Sequence, residues 1–352
     1  MWIFSMNEYT GLGPGKGMLE MKKWWLGALM LGIITLLAAC GGGDSDNAGG
    51  GDKEKMVIGY FPNIDHAPAM VARENGYYEE KLGDDVELQY ITFPDGGTFM
   101  AALKSGEIDA GLVGPGPVLN NFSNGAEVKV LAGASSGGTV VVASEKSGID
   151  SVEDMAGKTF ITPGIGCTHD VQFETYLQQL GNDELASSRI GGSLNHVTGN
   201  PASYQAMFES GKVDLAAVPE PWASILVDNG AKVIISTEEI AYGESLPNTV
   251  LVANNKLTEE KPELAAKLLE AHNESVAFIN DNPEKAQKIA IDSIKDLTNQ
   301  EMDAKIVEQA MSRVTYTTEV NEAVLKEFGN SSYELEFLKE APEFDGLVAD
   351  KE

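Results

Sequence analysis

The sequence predicts an α/β protein of two similarly built lobes around a central cleft, and three observations carry that expectation. First, β-like and helix-like runs alternate from Met56 onward at the spacing of βαβ units. Second, Ser105-Gly106-Glu107-Ile108-Asp109 returns about 105 positions later as Ser210-Gly211-Lys212-Val213-Asp214. Each copy follows an apolar helix and precedes a strand that ends in a proline-rich turn, Pro115-Gly116-Pro117 or Pro219-Glu220-Pro221. Each turn is followed by a helix and then by Asn124-Gly125-Ala126 or Asn229-Gly230-Ala231, so one supersecondary plan is used twice. Third, Thr162-Pro163-Gly164-Ile165-Gly166-Cys167-Thr168-His169-Asp170 sits between a short β-like run and a helix-like run. A strand, a glycine-rich turn and a helix start place unpaired N–H groups and the positive end of a helix dipole beside a ligand, with Thr168 as a plausible N-cap. Its spacing is neither GxxxxGK[ST] nor GxGxxG, so no nucleotide site is read there.

The chain has 352 residues and a formal charge of −29, a balance that argues against nucleic acid or an anionic membrane surface as a partner of the folded body. At its start, Lys22 and Lys23 precede an apolar run, Trp24 to Leu37, that ends in Leu37-Ala38-Ala39-Cys40. This resembles a bacterial lipoprotein signal, with a charged region, an apolar run too short for a membrane span and small residues before the cut. The resemblance implies that residues 1–39 are removed and that the Cys40 thiol is diacylated, giving a lipid-anchored protein on the outer face of the cell membrane. Met18 and Met21 are alternative starts. Residues 40–55, rich in Gly, Asp, Ser and Asn, read as a flexible tether.

Beyond the tether the elements follow in order. Strands are expected at Val57 to Phe61, Val86 to Ile91, Ala110 to Val113, Val128 to Ala132 and Thr139 to Ala143, with helices at Ala67 to Glu74, Thr98 to Lys104 and Pro117 to Ser123 between them. The second series has strands at Thr159 to Ile161, Ser193 to Val197, Leu215 to Val218, Val233 to Ile235 and Thr249 to Val252. Its helices are expected at Asp170 to Leu180, Pro201 to Glu209 and Trp222 to Asp228. The alternation implies parallel βαβ units. After Val252 the chain turns helical, near Lys261 to Asn280, Pro283 to Ser293, Gln300 to Val314 and Val320 to Phe328.

Several segments carry a resemblance: Gly59-Tyr60-Phe61-Pro62-Asn63 with His66-Ala67-Pro68, Gly114-Pro115-Gly116-Pro117, Ala132 to Gly138, Asp154 to Lys158, Gly166 to Val171 and Val218 to Ala223. Over about Met56 to Asn282 the chain resembles the substrate-binding proteins of ABC importers in the nitrate, sulfonate and taurine group, most of all the aliphatic sulfonate-binding ones. The resemblance implies a type II periplasmic-binding-protein fold with two hinge crossings, here near Thr139 to Ala143 and Thr249 to Val252. The first lobe would then comprise residues 56–138 and 250–352, and the second residues 139–249. It also implies a monomeric binder without chemistry or cofactor, which captures a small sulfonate-like anion and hands it to a permease. Taurine, nitrate or a thiamine pyrimidine precursor are alternative ligands on the same scaffold, and a sensor's ligand-binding lipoprotein is an alternative role. The family usually carries a polar residue where this chain has Cys167, which bears on the ligand more than on the fold.

The loops at the strand ends supply the candidate ligand contacts: Asn63 and His66, Gly97 and Thr98, Gly114, Pro115 and Gly116, then Ser135, Gly137 and Gly138. The second half adds Gly166, Cys167, Thr168 and His169, then Glu220 and Trp222. For the glycines and hydroxyls a tight turn or a cap is an equal reading. Glu220 between two prolines either accepts from the ligand or locks its turn. Trp222 either covers the ligand's organic part or packs its helix. None of the three arginines, Arg73, Arg189 and Arg313, falls in an expected cleft loop, so an anion would rest on N–H groups and hydroxyls. Cys167 two residues before His169 invites a nucleophile, and hence an extracytoplasmic enzyme, but no third orienting group is evident. The four histidines show neither HxxxH nor HxH spacing, so no metal site is expected.

Overall fold

The computed structural model describes residues 53–349; the expected signal peptide, Cys40 and nearly all of the tether lie outside the described residues. Eleven strands are described: β1 (Glu54–Tyr60), β2 (Val86–Thr92), β3 (Ala110–Val113), β4 (Val128–Gly137), β5 (Thr139–Ala143), β6 (Thr159–Thr162), β7 (Asn195–Thr198), β8 (Leu215–Pro219), β9 (Lys232–Ile235), β10 (Pro247–Asn254) and β11 (Val314–Tyr316). They form two sheets, ordered β11-β4-β10-β3-β1-β2 and β7-β6-β8-β5-β9. The chain passes from the first sheet to the second across the single residue Gly138, and returns between Ile235 and Pro247.

Pairing is parallel within the expected βαβ units and antiparallel where β5, β10 and β11 join them. β1 pairs in parallel with β2 and β3, and β6 with β7 and β8, as βαβ connections require. β10, coming back from the second sheet, enters the first antiparallel to both β3 and β4. β5 likewise lies antiparallel to β8 and β9. A strand entering from the other sheet is not bound by the crossover geometry that makes local βαβ strands parallel.

β1 shows how sequence sets the layers. Met56, Ile58 and Tyr60 point to one face and Val57 to the other, the period of two that a strand imposes. One face is covered by helices Ala67–Glu74, Pro262–Asp281 and Pro283–Thr298, and the other by Gly96–Ser105, Pro115–Ser123 and Glu322–Glu334. β10 and β5 are buried on both faces and read as near-continuous apolar runs, as central strands do. The first cluster continues through Val140, Val142 and Val218 into the second sheet, so the lobes share apolar packing at the hinge.

The sequence reading missed the six-residue helix Tyr77–Leu82 and the strand β11. The expected helix Gln300 to Val314 covers only Ala304–Met311; Asp303 caps it, and Val314-Thr315-Tyr316 then pairs antiparallel with β4. β-Branched and aromatic residues beside an open sheet edge suit that role. Cys167, not Thr168, is the N-cap of helix Thr168–Gln179, with Thr168 its first residue. None of the described helices is long and apolar enough to cross a membrane.

Candidate functional site

The cleft opens where strand-end loops of both sheets meet, and about 620 Å³ of non-protein space lies there, its mouth included. From the first sheet come Phe61 to Asn63 and His66 after β1, Phe93 to Gly96 after β2, and Gly114 with Pro117 after β3. From the second come Pro163 and Cys167 to His169 after β6, Asn200 and Pro201 after β7, and Pro219 with Trp222 after β8. Open α/β sheets bind ligands at such strand ends.

The walls are mainly apolar. Phe61 lies 4.9 Å from the His66 ring and stacks on Phe99 at 5.8 Å, while Trp222 is 5% exposed across the gap. Three buried polar atoms among the lining side chains have no hydrogen-bond partner: Asn63 Oδ1, His66 Nδ1 and His169 Nε2. Buried polar atoms are nearly always satisfied, so these three, on residues that line one space, are the candidates to meet a ligand's polar groups. Burial pushes His66 down to about 3, aided by neighbouring His169, and pushes His169 down to about 3 as well. Both imidazoles are therefore neutral at physiological pH, and among the described residues no lysine or arginine lines the cleft. Asp95, which caps helix Gly96–Ser105 by accepting from the Thr98 N–H at 2.9 Å, is the one charged lining residue among the described residues.

The lobes touch beside this space. Thr168 Oγ1 accepts a hydrogen bond of 3.2 Å from the Gly116 N–H, and the Ile64 N–H donates to the Glu220 carbonyl oxygen at 3.0 Å. Gly116 is required by closeness: a Cβ there would stand 2.7 Å from the Gly166 carbonyl oxygen and 2.8 Å from the Thr168 nitrogen. Gly114 is similar, with the Thr168 hydroxyl 2.3 Å from where its Cβ would stand.

Of the residues picked from sequence, Asn63, His66, Gly114, Cys167, Thr168, His169 and Trp222 line the cleft. Pro115 and Gly116 stand directly behind its wall at the contact between lobes. Gly97 and Thr98 occupy the first turn of the helix whose Gly96 lines it. Ser135, Gly137 and Gly138 lie at the hinge instead; Gly138 has φ +80° and donates its N–H to Thr237 Oγ1 at 2.8 Å. Gly166 faces away from the space, with its N–H on Asp170 Oδ2 at 2.8 Å. Glu220 is fully buried and committed elsewhere: its carboxylate accepts from Arg313 at 2.5 Å and from the Ser224 N–H at 3.0 Å, so it locks the turn. Cys167 is a buried thiol whose pKa is pushed up to about 12 by burial and by Asp170, far from a poised nucleophile. Phe93 and Asn200 were missed, although both follow strands at the ends where such sites form.

The chain is similar to several known proteins. The taurine-binding periplasmic protein of Escherichia coli is 26% identical over 56% of this chain and 58% of its own length. The formylaminopyrimidine-binding protein of Halalkalibacterium halodurans is 23% identical over 83% of this chain and 85% of its own. The structure of the alkanesulfonate-binding protein SsuA from Xanthomonas axonopodis pv. citri, bound to MOPS, superposes with a TM-score of 0.71 at 18% identity. That match covers 85% of this chain and 99% of the other, and it confirms the periplasmic-binding fold. A family profile matches residues 49–291, more than half of the sequence, and the chain thus belongs to the NMT1-like family.

Proposed function

We propose that this protein is the extracytoplasmic solute-binding component of an ABC importer, holding a small organic solute between its lobes and presenting it to the permease. The observation that carries this reading is the cleft itself, apolar in its walls, with three orphaned polar atoms and no assembled nucleophile. Its ligand in this reading is an aliphatic sulfonate: the alkyl part lies against Phe61 and Trp222, and the head accepts hydrogen bonds from neutral donors. Anchoring through Cys40 belongs to the same reading, and Cys40→Ala is expected to release the protein from the membrane fraction.

A pyrimidine-like heterocycle is the second reading, and Asn63 favours it. Its buried Oδ1 is an acceptor awaiting a donor, which an amino group supplies and a sulfonate does not. Flat aromatic walls and neutral imidazoles also suit an uncharged ring. A thermal-shift panel of alkanesulfonates, taurine, nitrate and aminopyrimidines separates the two. A solute at about 100 times its Kd adds roughly 2.7 kcal/mol to stability, a rise of several degrees. The sulfonate reading expects that rise with alkanesulfonates, absent in Trp222→Ala. A rise with aminopyrimidines alone replaces it with the second reading, and no rise with any of them contradicts both.

A further inference from the structure

Beneath the cleft, on the far side of the turn that carries Thr168 and His169, the second lobe buries a cluster of polar side chains. Asp170 and Glu174 stand one turn apart on helix Thr168–Gln179, and His196 comes from edge strand β7. One ligand-type atom from each lies within 4.8 Å of the others. Asp170 is 0% exposed and Glu174 2% exposed.

Each side chain has one end engaged by the scaffold. Asp170 Oδ2 accepts from the Gly166 N–H at 2.8 Å, and Glu174 Oε2 accepts from Arg189 at 2.8 Å. The His196 ring stacks flat on Phe160, 4.3 Å between centroids with 6° between planes. Asp170 Oδ1 has no hydrogen-bond partner, Glu174 Oε1 has none of normal geometry although the Ser187 hydroxyl lies near the carboxylate, and His196 Nε2 is 3.5 Å from Asp170 Oδ1. That nitrogen shares a 2.7 Å hydrogen bond with Thr162 Oγ1, which an ion bound to it would replace. Ligands whose second atoms are already fixed are how proteins preorganise a metal site. With both carboxylates ionised and Arg189 paired to one of them, the cluster holds buried negative charge that a bound cation would offset.

We propose that Asp170 Oδ1, Glu174 Oε1 and His196 Nε2 bind one divalent transition-metal ion of the zinc type, tying helix Thr168–Gln179 to β7. One imidazole nitrogen and two carboxylate oxygens suit such an ion better than calcium or magnesium, which prefer all-oxygen sets. The role is structural. The ion steadies the helix whose first turn carries Thr168 and His169 into the cleft. The sequence expectation of no metal rested on histidine spacing, whereas here the fold brings together residues that spacing alone does not connect.

The test uses the full chain, stripped with chelator and dialysed against zinc ion, with bound metal counted by elemental analysis. One zinc per chain is expected, with affinity reduced more than about tenfold in Glu174→Gln and in His196→Gln. Cobalt substitution gives a second reading that needs no variant. The visible bands of a nitrogen and oxygen site are expected, without the charge-transfer band that thiolate ligation by Cys167 produces. Less than a tenth of an equivalent of zinc on the wild-type chain overturns the proposal. So does undiminished zinc in folded Glu174→Gln and His196→Gln variants, or a thiolate band with cobalt.

Discussion

His272 shows at the scale of one residue how burial sets the protein's acid limit. Its Nε2 lies 2.7 Å from the Gly133 carbonyl oxygen, which can only accept, so Nε2 carries the proton and buried Nδ1 is left without a partner. Burial pushes its pKa down to about 4, below the ordinary value near 6.5. Between those values the unfolded chain binds the extra proton and the folded chain does not. The contribution of His272 to stability is therefore fully present above about pH 6.5 and is lost as pH falls toward 4. His66 and His169, held down to about 3, act in the same direction over a wider window. Buried Asp65, raised by burial and by Glu220, acts the opposite way, stabilising at low pH and less as pH rises. Comparing His272→Gln with wild type isolates the one term. The variant's stability should fall less between pH 7 and 4.5, by up to about 3 kcal/mol in urea unfolding. Parallel pH profiles for the two proteins would contradict the account.

At the scale of the element, the meeting of helix Pro115–Ser123 with helix Thr168–Gln179 matters most, because there the lobes touch beside the cleft with no room for a Cβ between them. Gly116 sits in the first turn of its helix, where alanine has the better helical propensity by about 1 kcal/mol. Alanine there nevertheless meets backbone atoms of the other lobe at 2.7 to 2.9 Å, which no side-chain rotation relieves. Gly116→Ala is thus expected to leave each lobe folded and to wedge them apart. The expected results are a larger radius of gyration by scattering and solute affinity at least about tenfold weaker. An unchanged radius and affinity would mean that the contact does not govern closure.

Much of this level was legible beforehand. Helices Ala67–Glu74 and Trp222–Asp228 and strands β3 and β5 lie where apolar periodicity put them, since proline, glycine and asparagine mark their ends. β11 and the antiparallel entry of β10 were not legible, because both depend on which edge or gap a distant segment finds open. The paired glycines of the 114–116 turn were visible as a motif, but the close approach they permit was not. For Glu220 the sequence left a ligand contact and a locked turn both open, because its partner Arg313 is 93 residues away.

For the whole molecule, two of the three arginines are straps between lobes, which explains why the cleft has none. Arg313, beside β11, reaches Glu220 and Ser224 in the second lobe, the latter at 3.0 Å. Arg189, from the second lobe, donates to the Leu335 carbonyl oxygen at 2.5 Å and lies 3.9 Å above the Phe337 ring. Apart from Asp95, the cleft is lined by aromatic, apolar and neutral hydrogen-bonding residues. The central claim is that solute binds there, against Trp222. Among the described residues Trp222 is the sole tryptophan; the others are Trp2, Trp24 and Trp25. With those three changed to Phe, intrinsic fluorescence reports on the cleft alone. Titration with a solute shown by calorimetry to bind should change Trp222 emission saturably, with a midpoint matching the calorimetric Kd. Emission that stays constant while calorimetry shows full occupancy would place the binding site elsewhere.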